Sequence, residues 1–132
     1  MGLIASIHLE SGEGHAQKIS AGHHRLVSDE PASRGGADAG PAPFSLVLSG
    51  LAACTAITLQ MYAARKQWTL GPLRIEARLH EDEGQRRIER VMYFDAAVPD
   101  DQRARLLEIA DKTPVTVALR GGVPIHTTVH PA

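Results

Sequence analysis

The sequence predicts an α+β domain, and three observations carry that prediction. No charged residue falls between Asp38 and Arg65, and the stretch entered through Pro41 and Pro43 reads as one long apolar helix over 44–66. Leu73, Ile75, Ala77 and Leu79 alternate strictly with Arg74, Glu76, Arg78 and His80, the period of a half-buried strand. Residues 3–30 break into short alternating runs separated by turn residues.

In chain order, Leu3 to Leu9 alternates as a first strand, and Ser11-Gly12-Glu13-Gly14 is a turn. A second strand is expected over 15–20, a break at Ala21-Gly22, and a third strand over 23–27. Residues 29–43 are rich in Gly, Pro, Ala and Asp, a loop long enough for a compact domain to suggest a functional role. The long helix follows, with Arg65 and Lys66 at the negative end of its dipole. After the alternating strand, Glu81 to Gln85 is a turn and 88–94 the return strand. Asp100 and Asp101 open a second helix that presents Leu106, Leu107, Ile109 and Ala110 and closes at Lys112 and Pro114. A short helix is expected over 115–119, then a last strand over 123–129 beyond Gly121-Gly122. The order is therefore βββ-α-ββ-α-α-β, in a single domain over 1–132.

Composition limits the function classes. The 132 residues carry 14 Lys and Arg against 15 Asp and Glu, so nothing marks a nucleic-acid or anionic-membrane partner. The start of the chain lacks a basic segment followed by a long apolar run, so no signal peptide is expected. The stretch 44–64 is long enough to span a bilayer. It contains Ser45, Ser49, Gly50, Thr55, Thr58 and Gln60 and much alanine, so a helix buried on nearly all sides is the better reading, with no membrane partner. One small chain has few elements with which to cover such a helix. A homodimer sharing the core is the natural answer, because obligate interfaces resemble a core cut in two. The single cysteine, Cys54, excludes an internal disulfide and suits the reducing cytoplasm.

Cys54 is also the first candidate for chemistry. A lone cysteine in an alanine-rich helix is either an inert core residue or a reactive thiol. The reactive case needs a cation, since Cys54 lies about three turns inside its helix, beyond useful reach of the helix dipole. Arg25, Arg34 or a residue of a second subunit could supply it. Gly50, one turn earlier, carries a helix penalty of about 1 kcal/mol, which suggests close approach of another segment to the thiol. His23 and His24 point to opposite faces of a strand, and His126 and His130 are about 13 Å apart if extended. A metal needs ligands at ~2 Å, so neither pair forms a site. Gly35-Gly36 and Gly121-Gly122 are turn signals without a nucleotide fingerprint.

Three stretches, taken in order, resemble the OsmC/Ohr superfamily. They are His24 to Pro31 continued by Gly35-Gly36-Ala37-Asp38-Ala39-Gly40-Pro41-Ala42-Pro43; Leu51 to Leu59 with Met61-Tyr62-Ala63; and Arg105 to Val115. The likeness spans nearly the whole chain and favours the OsmC-like branch. It implies an α+β fold with a long central helix and two intertwined subunits. It also implies hydroperoxide reduction by two cysteines, the first attacking the peroxide and the second condensing with the sulfenic acid.

On that resemblance Cys54 matches the first, peroxidatic cysteine. The second is replaced, because the expected Lys-Cys-Pro-Val reads Lys112-Thr113-Pro114-Val115. The acidic residue expected beside the proline that opens the helix is missing at Phe44 and Ser45, and the first turn, 11–15, has no arginine. A two-cysteine cycle within one chain is excluded. There remain a one-cysteine cycle on a small apolar hydroperoxide, finished by an external thiol reductant with no other cofactor, and a non-catalytic homologue that binds a small molecule in an apolar pocket at the dimer interface.

Overall fold

The computed structural model describes residues 2–131. It is α+β, with the element order β1 (His8–Ser11), β2 (Gln17–Ala21), β3 (His24–Ser28), α1 (Pro43–Arg65), β4 (Leu73–Asp82), β5 (Gln85–Phe94), α2 (Asp100–Ala110) and α3 (Pro114–Gly121). The chain divides into two compact units, 1–48 and 49–132, with α1 running through the division.

In the first unit β1, β2 and β3 form an antiparallel meander, with Leu9 opposite Ile19 and Ile19 opposite Leu26. The first strand begins later than the alternation predicts. Leu3, Ile4 and Ile7 are exposed and unpaired, because the ladder with β2 ends at His8. The loop after β3 is ordered around one side chain. Asp29 is buried, and its carboxylate accepts the backbone N–H groups of Glu30 at 2.7 Å, Ala37 at 3.2 Å and Ala39 at 3.1 Å. The Ala39 bond leads in holding its pKa below the usual carboxylate value, against the opposing effect of burial. Two glycines let the backbone fold over this centre. A Cβ on Gly36 would stand 1.9 Å from the Glu30 carbonyl oxygen, and one on Gly40 would stand 2.1 Å from that of Val27. A 3-10 turn, Ala32–Arg34, occupies part of what the composition marks as plain loop.

In the second unit β4 and β5 form a ten-residue hairpin closed by Glu83 and Gly84, both at positive φ, as a two-residue primed turn requires. One side of α1 packs with this unit. Leu51, Thr55, Leu59, Tyr62 and Ala63 recur at spacings of three and four along the helix and are buried. Leu59 and Leu106 are fully buried in a core with Tyr62, Ala63, Leu70, Val98 and Ala110. Truncating either leucine to alanine costs about 2–5 kcal/mol in such settings. The helix ends in a Schellman cap: Trp68 N–H bonds Ala63 O at 2.8 Å, Gln67 N–H bonds Ala64 O at 3.1 Å, and Gln67 takes φ 58°.

Two expectations are corrected. The segment 123–129 is not a strand: Val123, Ile125 and Val129 are 64%, 88% and 89% exposed. A strand exists only through its ladder, and this segment pairs with none of the described strands. Nor is α1 buried on nearly all sides. Only 17% of its most apolar stretch is covered, so it passes the length and hydropathy test for a membrane-crossing helix while one chain buries a single stripe of it. Pro114 also acts differently from expectation. Helix α2 has already ended at Ala110, and the proline is the first residue of α3, where its missing N–H costs nothing.

Candidate active site around Cys54 and Arg90

The site is built from α1, β5 and the junction of α2 with α3. Along β5, the alternate positions Ile88, Arg90, Met92 and Phe94 share one face, and Met92 and Phe94 pack on the core. That face carries Arg90 inward, opposite the small Ala77 of β4, and leaves its side chain only 13% exposed. The guanidinium is held by four partners. Nη1 donates to Thr55 Oγ1 and to Thr116 Oγ1, each at 2.9 Å. Nη2 donates to Ala110 O at 3.2 Å and lies 3.6 Å from Asp111 Oδ1.

The acceptors are themselves fixed. Thr55 Oγ1 donates to Leu51 O at 2.7 Å, one turn back in α1, which turns its lone pairs to Arg90. Thr113 Oγ1 and Thr116 Oγ1 are 2.6 Å apart, and each lies 3.3 Å from Ala110 O. Thr55 and Thr113 are fully buried and Thr116 nearly so. No buried side-chain nitrogen or oxygen among the described residues lacks a hydrogen-bond partner, so this network is complete.

Cys54 is the residue before Thr55. It lies at the centre of a second stripe of α1, with Val47, Gly50, Ile57 and Met61 at spacings of three and four. Ile57 and Met61 are 52% and 64% exposed, and Cys54 is half-buried. The close approach expected at Gly50 is absent among the described residues: a Cβ there would meet none of their atoms within 4 Å.

A cation, Arg90, is bonded to the residue that follows Cys54. Burial lowers the guanidinium's pKa from its ordinary value, Asp111 opposes that, Arg120 adds to it, and the charge of Cys54 opposes it again. An arginine stays protonated through such shifts, so a fixed positive charge is bonded to Thr55, the residue that follows Cys54. Sequence reasoning missed Arg90, although a signal was present: it is the one charged residue on the inward face of β5 between Ile88 and Phe94. The residues that reasoning did single out are placed as follows. Thr113 joins the Arg90 network through Thr116. Arg25 donates to Ser20 Oγ at 3.0 Å, and Arg34 pairs with Glu30 at 3.3 Å, both within the first unit.

A cleft of about 380 Å³ opens beside this network. Leu51, Leu79, Ile88 and Leu119 supply its apolar lining. Arg90 and Thr116 lie at its inner end, being the most buried of its polar lining residues, and Arg86, Arg87 and Arg120 are exposed around it.

The family model described as OsmC-like protein matches residues 35–128. No curated protein sequence matches the chain. Among solved structures, the OsmC-like protein of Mycoplasma pneumoniae is 19% identical with a TM-score of 0.79, over 92% of this chain and 90% of that one. The organic hydroperoxide resistance protein OhrB of Bacillus subtilis is 22% identical with a TM-score of 0.63, over 90% and 92%. A putative organic hydroperoxide resistance protein of Vibrio cholerae, with captopril bound in one of its active sites, is 21% identical with a TM-score of 0.65, over 92% and 88%. At these identities the likeness is one of fold.

Proposed function

The chain belongs to the OsmC family, and from that premise we propose that it reduces organic hydroperoxides with a single cysteine, Cys54. The observation that carries this reading is the Arg90 guanidinium, fixed by four protein partners, one of which is Thr55, the residue that follows Cys54. A thiolate is the attacking species, and an immobilised cation favours it. In the first step the Cys54 thiolate attacks one peroxide oxygen. The O–O bond breaks, the sulfur is oxidised to sulfenic acid, and the other oxygen leaves as an alcohol after taking a proton. An external thiol then condenses with the sulfenic acid, releasing water and forming a mixed disulfide. A second external thiol displaces Cys54 as thiolate and leaves as the oxidised disulfide. Thr113 takes no part in these electron transfers, because a hydroxyl cannot form a disulfide.

The working unit in this reading is a cytoplasmic homodimer. The stripe of α1 that carries Cys54 is apolar and uncovered in one chain, and so is the extended 123–129 segment. A second copy that covered both would enclose the thiol. The fully bonded Thr113 hydroxyl also favours a second reading, a homologue that binds a small apolar molecule and has lost turnover. Intact-protein mass spectrometry after one equivalent of cumene hydroperoxide, with a dione trap for sulfenic acid, separates the two. Rapid trapping at Cys54 supports reduction; an unmodified thiol rejects it.

A further inference from the structure

Tyr62 stands at the centre of a group of cations for which hydroperoxide reduction has no use. Arg65 and Lys66 follow it by three and four residues at the end of α1, the spacing that brings side chains to one face of a helix. The Arg65 guanidinium lies 5.9 Å from the centre of the Tyr62 ring and the Lys66 ammonium 5.7 Å from it. Arg105 reaches the same ring from α2, at 5.6 Å, and its Nε donates to the Tyr62 hydroxyl oxygen at 2.9 Å. One carboxylate answers these three charges: Glu108 pairs with Arg105 at 3.0 Å. Beyond the ring, the side chains of Arg65 and Lys66 make no hydrogen bond or ion pair among the described residues. The negative end of the α1 dipole offsets about half an elementary charge, so more than one positive charge is left over.

We propose that this cluster binds a dianionic phosphoryl group, with Arg65 and Lys66 as its anchors. The planar fork of Arg65 can take two oxygens in parallel, and Lys66 adds a point charge beside it. Arg105 has donors engaged by Tyr62 and Glu108, so it supplies the third charge without gripping the anion. The Tyr62 ring is only 9% exposed, so the cations and not the aromatic face meet the ligand. An excess of more than one charge is matched better by a dianion than by a carboxylate. Tyr62 lies eight residues beyond Cys54, about 12 Å along α1, and binding there does not depend on the thiol.

Trp68, the only tryptophan of the chain, meets Tyr62 edge-on at 5.5 Å and reports on the site. Its fluorescence in the full-length protein is followed while glycerol 2-phosphate is added at constant ionic strength. The titration is run at about pH 8, above the second pKa of a phosphate ester, ~6. A saturable change is expected, with acetate binding about five-fold or more weakly. Arg65→Gln and Lys66→Gln should each weaken binding about two- to five-fold, the scale of a partly exposed ion pair, and the double variant should abolish it. Glu108→Gln removes the competing carboxylate and should tighten binding by a similar factor, an effect that a damaged fold cannot produce. Inorganic phosphate, titrated in parallel, identifies the source: equal binding assigns the site to free phosphate, and tighter binding of the ester assigns it to a phosphomonoester. A response that acetate reproduces, one that survives the double variant, or binding that Glu108→Gln fails to tighten overturns the proposal.

Discussion

Arg90 donates a 2.9 Å hydrogen bond to Thr55, the residue next to Cys54 in α1. The same nitrogen holds Thr116, whose hydroxyl is 2.6 Å from that of Thr113. Thr55, next to Cys54, and Thr113 are therefore joined through one guanidinium and the hydroxyl of Thr116. The guanidinium cannot swing away without giving up its bonds to Thr55, Thr116 and the Ala110 carbonyl.

Removing that charge should slow the thiol. Arg90→Met is expected to lower the rate of Cys54 oxidation by cumene hydroperoxide about ten-fold at neutral pH, since losing about 1.4 kcal/mol of electrostatic stabilisation in the transition state is ten-fold in rate. Arg90→Lys should keep part of the rate. Stopped-flow rates check this, with the urea midpoints of both variants showing that the fold is kept.

Thr113→Cys should restore a two-thiol cycle. Thr113 is buried and extended, with φ −68° and ψ 148°, just before Pro114. One equivalent of hydroperoxide is expected to join the new thiol to Cys54, which requires the two Cβ atoms to come within about 3.5–4.5 Å. Peptide mapping under non-reducing conditions shows the cross-link. Two free thiols under conditions that oxidise Cys54 in the unmodified chain would mean that Thr113 does not occupy the second-cysteine position.

A carboxylate on the open stripe of α1 should dissociate the dimer. Ile57→Glu places a charge on a surface that one chain leaves 52% exposed, so the isolated fold tolerates it. Sedimentation velocity at micromolar concentration is expected to show a dimer for the unmodified protein and a monomer for the variant. A monomer in both would remove the proposed interface.

The Asp29 cage should respond to acid. Its carboxyl has a folded-state pKa below the usual value, so it stabilises the loop above the unfolded pKa of about 3.9 and ceases to do so as pH falls through the lower folded value. The amide resonances of Ala37 and Ala39 should therefore move together below about pH 4. In Asp29→Asn both amides should be shifted already at neutral pH and show no acid transition.

Gly40→Ala should destabilise the first unit, because the added Cβ would lie 2.1 Å from a backbone carbonyl oxygen and 2.7 Å from its carbon. Relief needs movement of the main chain, and overpacking of this kind costs about 1–3 kcal/mol or more. The shift of the urea midpoint measures it. Gly50→Ala, with open space around it in one chain, should be neutral or stabilising in a monomer.

Sequence alone determined the elements whose pattern is local. Alternation placed β4 at Leu73 and its turn next to Gly84, and the uncharged run marked α1 to within a residue of its observed ends. Cys54 stood out because it is the only thiol, and composition marked 29–43 as a loop without showing that Asp29 would organise it. What depended on long-range contact was not legible. Arg90 lies 35 residues from Thr55 and 20 from Ala110, and no periodicity within β5 states which groups will meet its guanidinium. Gln67 closes α1 at positive φ without being glycine, because Trp68 is drawn into the core and sets the cap. The apolar 123–129 segment has the composition of a strand, yet a strand is a property of two chain segments and no described neighbour completes it. Local sequence sets propensity and pattern; pairing, burial and the charge beside a thiol are settled only where distant segments come together in three dimensions.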